Sequence, residues 1–405
     1  MKANLLGVLI YLFPGLLLVT DGLMFNNDVN ITAILDQLMI GYDKRVRPTY
    51  GGQPVTVGVS LYILAISDLS EQSMDFTFDM YFRQFWHDPR LAFERRPGLE
   101  KIVQGADYVK NIWVPDTFFV NEKETQYHHM TTDNEFVRII HTGDVYRNIR
   151  MTVKASCPLD LQYFPFDKQL CTLVIESFGF TMTDLKFRWQ DGYNSVRLSP
   201  DVALPEFNIL GHRQRIIEAS LSSGNYSRLL VDVQFDRAGG HYVIQVYLPT
   251  ILIVTMSWLV FWLSPDEVSA RVGLCAVSVL ALTTVMVSVN KELPKISYLK
   301  CLDIYLGVCM LYLLGALMEC VFVSFIAQAI QARKDKDIQL DQYRKVARAT
   351  PQQGPPKIFL VLVPRIIDLF SKIGFPIAFL CFNVVYWMFY QRASKQVVDD
   401  LIYLH

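Results

Sequence analysis

The sequence has almost no net charge and few cysteines outside its apolar runs. Its 405 residues include 38 Lys and Arg against 39 Asp and Glu, a net charge of −1. No global basic surface therefore points to nucleic acid as a partner. The sequence also shows no nucleotide-binding loop, no metal-ligand cluster, no arrangement of nucleophile, base and oxyanion donors, and no internal repeat. These absences argue against an enzyme and predict that no cofactor or metal is bound.

Apolar residues, in contrast, are abundant. They make up 52% of the chain, and the mean hydropathy of +0.24 is too high for an ordinary soluble enzyme. Four runs are long enough to cross a hydrocarbon core of about 30 Å. They are Tyr242–Leu263, Ala270–Val289, Asp303–Phe325 and approximately Ile366–Tyr390. Because the number of spans is even, both ends of the mature chain lie on one side of the membrane, which we predict to be the outside.

Two features predict that the N-terminal half of the chain is translocated. Residues 1–22 combine Lys2 with an apolar run and small residues at the end, which is typical of a cleaved signal peptide. A genuine first membrane helix is the alternative. Asn30 and Asn225 each begin an N-x-S/T sequon, so we predict glycosylation at both.

The connector between the third and fourth runs is rich in Lys and Arg, which favours a cytoplasmic position. Together these features predict an order of segments along the chain. The segments are a signal peptide at 1–22, an extracellular domain at 23–240, three membrane helices at 241–325, a cytoplasmic connector at 326–364, a fourth membrane helix at 365–392 and an extracellular tail at 393–405.

The polar half has the periodicity of a β-sandwich. A short amphipathic helix is predicted behind Asn30. Residues 55–63 and 75–83 then alternate apolar with polar or small side chains, as half-buried strands do. Similar runs continue to about Phe235, separated by turn signals. The predicted fold is an immunoglobulin-like extracellular β-sandwich with an N-terminal helix, followed by a four-helix transmembrane bundle.

Only two of the seven cysteines, Cys157 and Cys171, lie in the polar half, which predicts one extracellular disulfide and five free thiols. The segment between them contains Asp160 and Phe164-Pro165-Phe166-Asp167 and resembles the signature loop of Cys-loop receptors. Other landmarks of that family are Trp113-Val114-Pro115-Asp116, Trp86 followed by Asp88-Pro89-Arg90-Leu91, Tyr247-Leu248-Pro249, Leu293-Pro294-Lys295 and Tyr298. Within the family, the chain is similar to the anion-conducting branch of GABA, glycine and glutamate-gated channels.

The resemblance implies an agonist site between two subunits. Its principal face would contain Phe118, Glu176, Phe178, Phe180 and Tyr226, and its complementary face Tyr81, Arg83, Asn148 and Arg150. Strand alternation independently puts Tyr81 and Arg83 on one outward face. Aromatic rings attract an ammonium group, Glu176 could neutralise it, and Arg83 could bind a carboxylate, which fits an amino acid. Core packing of the phenylalanines and an intersubunit salt bridge between Glu176 and Arg83 are the alternatives.

The second apolar run carries a stripe along one helical face. It consists of Gly273, Val277, Leu280, Thr284, Val287 and Lys291, at alternating spacings of four and three, and Arg271 precedes it. The resemblance implies that the stripe lines the pore and that Leu280 forms the gate. Ser269-Ala270-Arg271 resembles the Pro-Ala-Arg sequence of anion channels, where helix N-termini and Arg271 would favour chloride. A stripe that packs on other helices is the alternative.

The resemblance also implies a junction that couples the two domains. In this junction Arg237 would pair with Glu71, Asp160 or Asp167. The pair would lie in a low-dielectric interface, where loss of one partner destabilises the protein. The other predicted members are Phe164, Pro165 and Phe166 in the signature loop, and Pro294 and Lys295 in the link between the second and third spans.

These observations lead to one functional hypothesis and two alternatives. The chain is predicted to be a subunit of a chloride-selective pentameric channel in the plasma membrane, for example at a postsynaptic site, opened by a small amine or amino acid. Its partners would be identical or homologous subunits, the agonist, chloride and membrane lipid. The alternatives are a cation-selective or proton-gated channel and a non-conducting accessory subunit, the latter suggested by the predicted glycan beside Tyr226 and by the apolar pore stripe.

Overall fold

The computed structural model describes residues 30–346, 358–393 and 401–403. The predicted signal peptide therefore lies outside the described residues. The described chain has two parts, a β-sandwich of two main sheets that ends at Arg237 and four long apolar helices that follow it. This architecture confirms the predicted fold class.

The first helix forms where the sequence predicts it. α1 spans Ile31–Met39, and the side chain of Asn30 accepts a hydrogen bond from the backbone N–H of Ala33 at 3.0 Å. Its buried residues are Ile34 and Leu38, one turn apart. The other helices are α2 Ala106–Val109, α3 Gly240–Tyr242, α4 Leu248–Ser257, α5 Val268–Glu292, α6 Cys301–Val346 and α7 Ile358–Ala393. Short helical turns occupy Pro89–Leu91, Gly192–Asn194, Val243–Tyr247 and Trp258–Trp262.

The strands are β1 Val55–Ser70, β2 Asp75–His87, β3 Lys101–Gly105, β4 Thr117–Phe119, β5 Glu122–Tyr127, β6 His129–Met130, β7 Thr132–Asp133, β8 Glu135–Ile140, β9 Asp144–Ser156, β10 Lys168–Ser177, β11 Leu185–Trp189, β12 Val196–Leu198, β13 Phe207–Leu221, β14 Gly224–Arg237 and β15 Ile402–Tyr403. One sheet has the order β11-β1-β2-β9-β8-β3, with β12 also on β1 and β5 on β9. The second has the order β15-β13-β14-β10-β4, and β6 pairs with β7 alone.

Apolar residues at alternate positions of β1 and β2 form the centre of the sandwich core. Val57 and Val59 on β1 and Phe78 on β2 have no exposed surface. Burial of a large apolar side chain stabilises the fold by roughly 1.5–3 kcal/mol. Because side chains alternate along a strand, this buried set keeps Tyr81 and Arg83 on the outward face.

The cysteines are distributed as the sequence predicts. A disulfide joins Cys157, just after β9, to Cys171 in β10. Closure of a loop of about 15 residues stabilises a fold by roughly 3 kcal/mol on the chain-entropy account. The five remaining cysteines, all free, are Cys275, Cys301, Cys309, Cys320 and Cys381.

Within the described residues, four helical segments are long and apolar enough to cross a membrane. They are Gly240–Trp262, Val268–Glu292, Cys301–Lys336 and Arg365–Tyr390. Their number agrees with the prediction, but α6 continues to Val346, through much of the connector predicted at 326–364, and α7 already begins at Ile358. No Gly or Pro occurs between 326 and 346, so the backbone stays helical after the sequence becomes polar.

The C-terminal tail forms a strand that the sequence did not predict. In β15, Ile402 pairs with His212 and Tyr403 with Gly211, antiparallel to the edge of β13. Residues 402–403 therefore lie against the sandwich.

Candidate functional site

Residues predicted for the principal face lie together beside the five-stranded sheet. Phe118 on β4 is paired with Glu176 on β10. The ring of Phe118 lies 5.5 Å from that of Phe178, edge to face. Phe178 is 77% exposed, so core packing does not account for it. Phe180 is half-buried, with its ring 6.1 Å from that of Trp113.

Asp116 holds the loop that presents Phe178. Its carboxylate accepts hydrogen bonds from the hydroxyl of Ser177 at 2.5 Å and from the backbone N–H of Gly179 at 2.6 Å. A Cβ at Gly179 would lie 3.2 Å from the same carboxylate, so glycine permits this close approach. Asp116 thus positions an exposed aromatic residue, a role that the sequence analysis did not assign to it.

Glu176 is engaged inside its own chain. Nε of Arg228, on the neighbouring strand β14, donates to its carboxylate at 2.5 Å, and Glu176 is only 3% exposed. The structure therefore corrects two interpretations, in which Glu176 neutralises an ammonium group or pairs with Arg83 of another subunit. A carboxylate buried to this degree needs a charge partner, and Arg228 of the same chain is that partner.

The hairpin of β13 and β14, here called the capping hairpin, carries Tyr226 near its tip. Tyr226 is 7% exposed, and its hydroxyl donates to Oγ of Ser223 at 3.0 Å. Asn225, a predicted glycosylation site, is exposed, and its backbone carbonyl oxygen accepts a hydrogen bond from the backbone N–H of Met182 at 2.8 Å. The tip is thereby tied to the loop that carries the exposed phenylalanine.

The complementary-face residues form a block on β2 and β9. Tyr81 pairs with Arg150 and Arg83 with Asn148 in antiparallel register, and all four are partly exposed. Arg150 already donates to Asp79 at 2.9 Å. Nε of Arg83 and Oδ1 of Asn148, in contrast, are buried atoms without a hydrogen-bond partner among the described residues. Arg83 is therefore the cation of this face with donor capacity to spare.

Tyr62 on β1 extends this face and was missed by the sequence analysis. Its ring stacks on that of Tyr81 at 6.3 Å, and the guanidinium carbon of Arg83 lies 5.8 Å from its centre. The signal was present, because Tyr62 stands between the buried residues Leu61 and Ile63. The residues predicted for the two faces belong to different sheets of the sandwich.

Arg237 is the centre of the junction below the sandwich. Nε and Nη2 donate to the two oxygens of Asp167 at 2.7 and 3.1 Å, and Nη1 donates to Glu71. Burial opposes the charge of Arg237, but the hydrogen bonds to Asp167 outweigh it, and the pKa of Arg237 is raised. Asp160 is not a partner, which corrects one prediction. Its carboxylate instead accepts from the N–H of Gln162 at 3.0 Å, within its own turn.

The tip of the disulfide loop packs on the membrane helices. The ring of Phe166 lies 6.1 Å from that of Tyr247 and 5.4 Å from that of Trp387, on the first and fourth spans. The ring of Phe164 lies 4.8 Å from that of Tyr242 at the start of the first span. The loop therefore touches two spans at once.

The same loop contacts the link between the second and third spans and the first residue of the third span. The N–H of Leu161 donates to the hydroxyl of Tyr298 at 3.0 Å, and the N–H of Cys301 donates to the carbonyl of Gln162 at 3.0 Å. Pro294–Lys295 lies in this link and is partly or fully exposed. Tyr298, which the sequence analysis named only as a landmark, makes the polar contact.

The predicted stripe on α5 faces away from the rest of the chain. Its members Gly273, Val277, Leu280, Thr284, Val287 and Lys291 are all exposed. Val277 and Leu280 are each 67% exposed, whereas Cys275, Ser278 and Leu282 on the other side are buried. Packing on helices of the same chain, the alternative for this stripe, does not occur among the described residues. An apolar face this uncovered must meet lipid or other subunits.

Arg271 does not lie on the stripe, which corrects its predicted place at the pore mouth. Its side chain has no exposed surface, and Nη2 donates to Oδ1 of Asp368 on α7 at 2.8 Å. Arg271 precedes Gly273 by two positions, which is about 200° around an α-helix, so it points to the opposite side. Ser269 and Ala270 remain exposed in the first turn of α5.

Comparison with family models agrees with this arrangement. Residues 31–237 match the neurotransmitter-gated ion-channel ligand binding domain, and residues 246–356 match the neurotransmitter-gated ion-channel transmembrane region. Together the matches cover the sandwich and the first three spans. Members of this family are non-enzymatic channels that assemble as pentamers and open on binding a small-molecule agonist. The chain belongs to the neurotransmitter-gated ion-channel family and is a multi-pass subunit of a pentameric Cys-loop receptor.

Proposed function

We propose that this ligand-gated channel conducts chloride. The observation that carries the proposal is the first turn of α5, where Ser269 and Ala270 are exposed and no carboxylate stands on the pore-side stripe. A helix N-terminus carries about half a positive charge, and five of them around one axis favour an anion. Arg271 adds less than expected, because Asp368 neutralises it. Asp266–Glu267 lies exposed just outside the turn, and these carboxylates oppose the preference for an anion.

The reversal potential of the current tests this proposal. In oocytes, lowering external chloride should shift the reversal potential to more positive values. Ala270→Glu should abolish that shift and make the current follow external sodium, because five carboxylates at this turn attract cations. Ala270→Gln, of similar size and no charge, is the matched control and should stay anion-selective. A wild-type current that follows sodium, or an Ala270→Glu channel with unchanged selectivity, contradicts the proposal.

We propose further that the agonist is an amino acid or a closely related small amine with a carboxylate. Arg83 supports this, because its Nε lacks a partner while Arg150 beside it is bonded to Asp79. A guanidinium binds a carboxylate through two parallel hydrogen bonds. Since Glu176 is bonded to Arg228, recognition of the ammonium group falls to exposed rings such as that of Phe178.

A screen of amines, amino acids and pH steps, followed by mutation, tests the ligand class. Amino acids should open the channel, and Arg83→Met should raise the half-maximal concentration about 30-fold, the value of a charged hydrogen bond. Arg147→Met is the control, because Arg147 is bonded to Glu135 on the same sheet. If an amine without a carboxylate opens the channel and Arg83→Met leaves the half-maximal concentration unchanged, the proposed recognition of a carboxylate by Arg83 is contradicted. Silence at full surface expression would favour the accessory-subunit alternative.

We also propose that the sandwich and both chain ends are extracellular at the plasma membrane, and that Asn30 and Asn225 carry glycans. Both side chains are exposed, although that of Asn30 also caps α1. The apolar exposed face of α7 fits contact with membrane lipid. Glycosidase treatment of intact protein should increase electrophoretic mobility, and Asn225→Gln should remove part of that change. Absence of any change would contradict the glycans.

A further inference from the structure

The C-terminal strand β15 covers part of an open sheet edge. β13 is the outer strand of the five-stranded sheet apart from β15, which pairs with it at Gly211 and His212. An uncovered edge presents backbone N–H and C=O groups that can pair with any extended segment. Here the paired segment is Ile402–Tyr403 of the same chain.

Gly211 is matched to this contact. A Cβ at that position would lie 2.4 Å from the carbonyl oxygen of Ile402 and 3.2 Å from Cα of Tyr403. The register of β13 against β14 also shifts between Ile209 and Gly211, which marks a bulge. The tail therefore approaches the backbone of β13 at a point where only glycine leaves room.

Burial on both sides of the pairing strengthens the contact. His212 on β13 is 4% exposed, and Leu401, just before β15, is 9% exposed. α7 ends at Ala393, eight positions before Leu401. An extended chain reaches at most about 3.5 Å per residue, so the tether from the fourth span to the sandwich is roughly 28 Å at most.

We infer that residues Leu401–Tyr403 act as a strap that ties the fourth membrane span to the base of the capping hairpin and restrains its motion. From Gly211, β13 runs on to Ala219, which pairs with Tyr226 on β14. A restraint at the base of a continuous hairpin reduces the conformational freedom of its tip. The strap thus connects the fourth span to the strand pair that carries a predicted ligand residue. The inference does not depend on which ion or agonist the channel uses.

A disulfide between the two strands tests whether the strap is docked in the full-length receptor. Directly opposed residues of an antiparallel pair have Cα atoms about 4.5–5.5 Å apart, within disulfide range. The variant combines His212→Cys, Ile402→Cys and a protease site inserted after Gly354. After cleavage and mild oxidation with copper phenanthroline, the two fragments should stay joined until dithiothreitol is added. Each single-cysteine variant should separate without reductant, and a double variant that also separates would overturn the inference.

Hydrogen–deuterium exchange on the full receptor tests whether the strap restrains the hairpin. Deletion of residues 401–405 should speed amide exchange from Arg213 to Tyr226 roughly fivefold, the value of about one net hydrogen bond. Gly211→Ala should act likewise in the full chain but add nothing in the truncated chain, because the tail it displaces is gone. Gly105→Ala, where a Cβ meets open space, is the matched control. Unchanged hairpin exchange after truncation, or an equal effect of Gly211→Ala in both backgrounds, would refute the strap.

Discussion

Two arginines among the described residues, Arg237 and Arg271, have no exposed side-chain surface, and their hydrogen bonds differ. Arg237 at the junction donates to both oxygens of Asp167 and to Glu71, and its guanidinium carbon lies 4.8 and 4.4 Å from the ring centres of Phe164 and Phe207. Arg271 in the helix bundle has one bond of 2.8 Å to Asp368. Its Nε and Nη1 have no partner within the part of the chain that the structure describes.

The difference indicates that Arg237 is a coupling hub, whereas Arg271 only links two membrane spans. A guanidinium has five N–H donors, and each buried donor left without a partner costs free energy. Arg237 has most of its donors engaged, by two segments of the sandwich, so it fixes their relative positions. Arg271 joins the second span to the fourth but is only partly satisfied. We therefore expect the junction to tolerate change less than the bundle pair does.

Arg237→Ala should give the largest effect. It leaves Asp167, which is buried, and Glu71, which is partly buried, without their cation, and loss of one partner of a buried pair costs about 3–5 kcal/mol. Surface biotinylation together with current recording should show loss of surface receptor or of gating. Arg237→Lys, which keeps the charge but not the planar fork, should be intermediate. Normal surface level and normal gating of Arg237→Ala would contradict the role of Arg237 as the coupling hub.

Asp368→Asn should have a smaller effect. The amide oxygen can still accept from Arg271, but the charge that balances the guanidinium is lost, at about 2 kcal/mol for a charged hydrogen bond. The melting temperature of the detergent-solubilised receptor measures it. The double variant Arg271→Met with Asp368→Leu should recover part of the stability, because neither member of the pair is left without its partner, while the buried carboxylate oxygens of Glu319 remain. A double variant less stable than Asp368→Asn would show that the pair stabilises more than its geometry indicates.

His212 extends the comparison to a buried residue whose charged form is disfavoured by burial. Burial lowers the pKa of His212. Protons therefore bind the unfolded chain more readily, so stability falls as pH drops through the ordinary histidine value near 6.5. Between pH 6.5 and 5.5 the loss is at most about 1.4 kcal/mol. Melting temperatures across this range should fall further for the wild type than for His212→Leu. Parallel curves would show that another group is responsible.

Arg95→Ala should give the smallest effect. Arg95 and Glu100 form a salt bridge in which both side chains are more than 60% exposed. Exposed pairs contribute about 0.5 kcal/mol or less. The melting temperature should stay within error of the wild type at low and at high salt. A clear, salt-sensitive decrease would mean that exposure alone does not rank the ion pairs of this protein.

Local sequence patterns anticipated much of the architecture. The alternation in β1 and β2 predicted which residues face the core, the four apolar runs predicted the spans, and the position of Cys157 and Cys171 predicted the disulfide. The alternating spacing of four and three on α5 predicted its exposed stripe. The strand faces, the spans and the stripe follow from apolar patterning along one segment, where burial acts on near neighbours. The disulfide follows instead from the presence of only two cysteines in the polar half.

Side-chain partners were predicted less well. Arg271 was placed in the pore, although its position two residues before Gly273 already turns it to the other side of the helix. Glu176 was assigned to a ligand because nothing local indicates Arg228, which lies 52 positions later. Asp160 was offered beside Glu71 and Asp167 because the resemblance implied an acidic partner for Arg237 without indicating which one. These errors share one cause, since an ion pair depends on distances that a segment does not contain.

By itself, the sequence determined the β-sandwich, the four spans and the outward stripe of α5, because hydrophobic burial leaves a period of two or of 3.6 in the order of residues. It also determined the disulfide loop, because only two cysteines lie in the polar half. Only the tertiary structure decided that Glu176 pairs with Arg228, that Arg271 pairs with Asp368, and that Ile402–Tyr403 adds a strand at Gly211. Those contacts join segments that are far apart in the sequence, and a partner in a distant segment leaves no periodic pattern in either one.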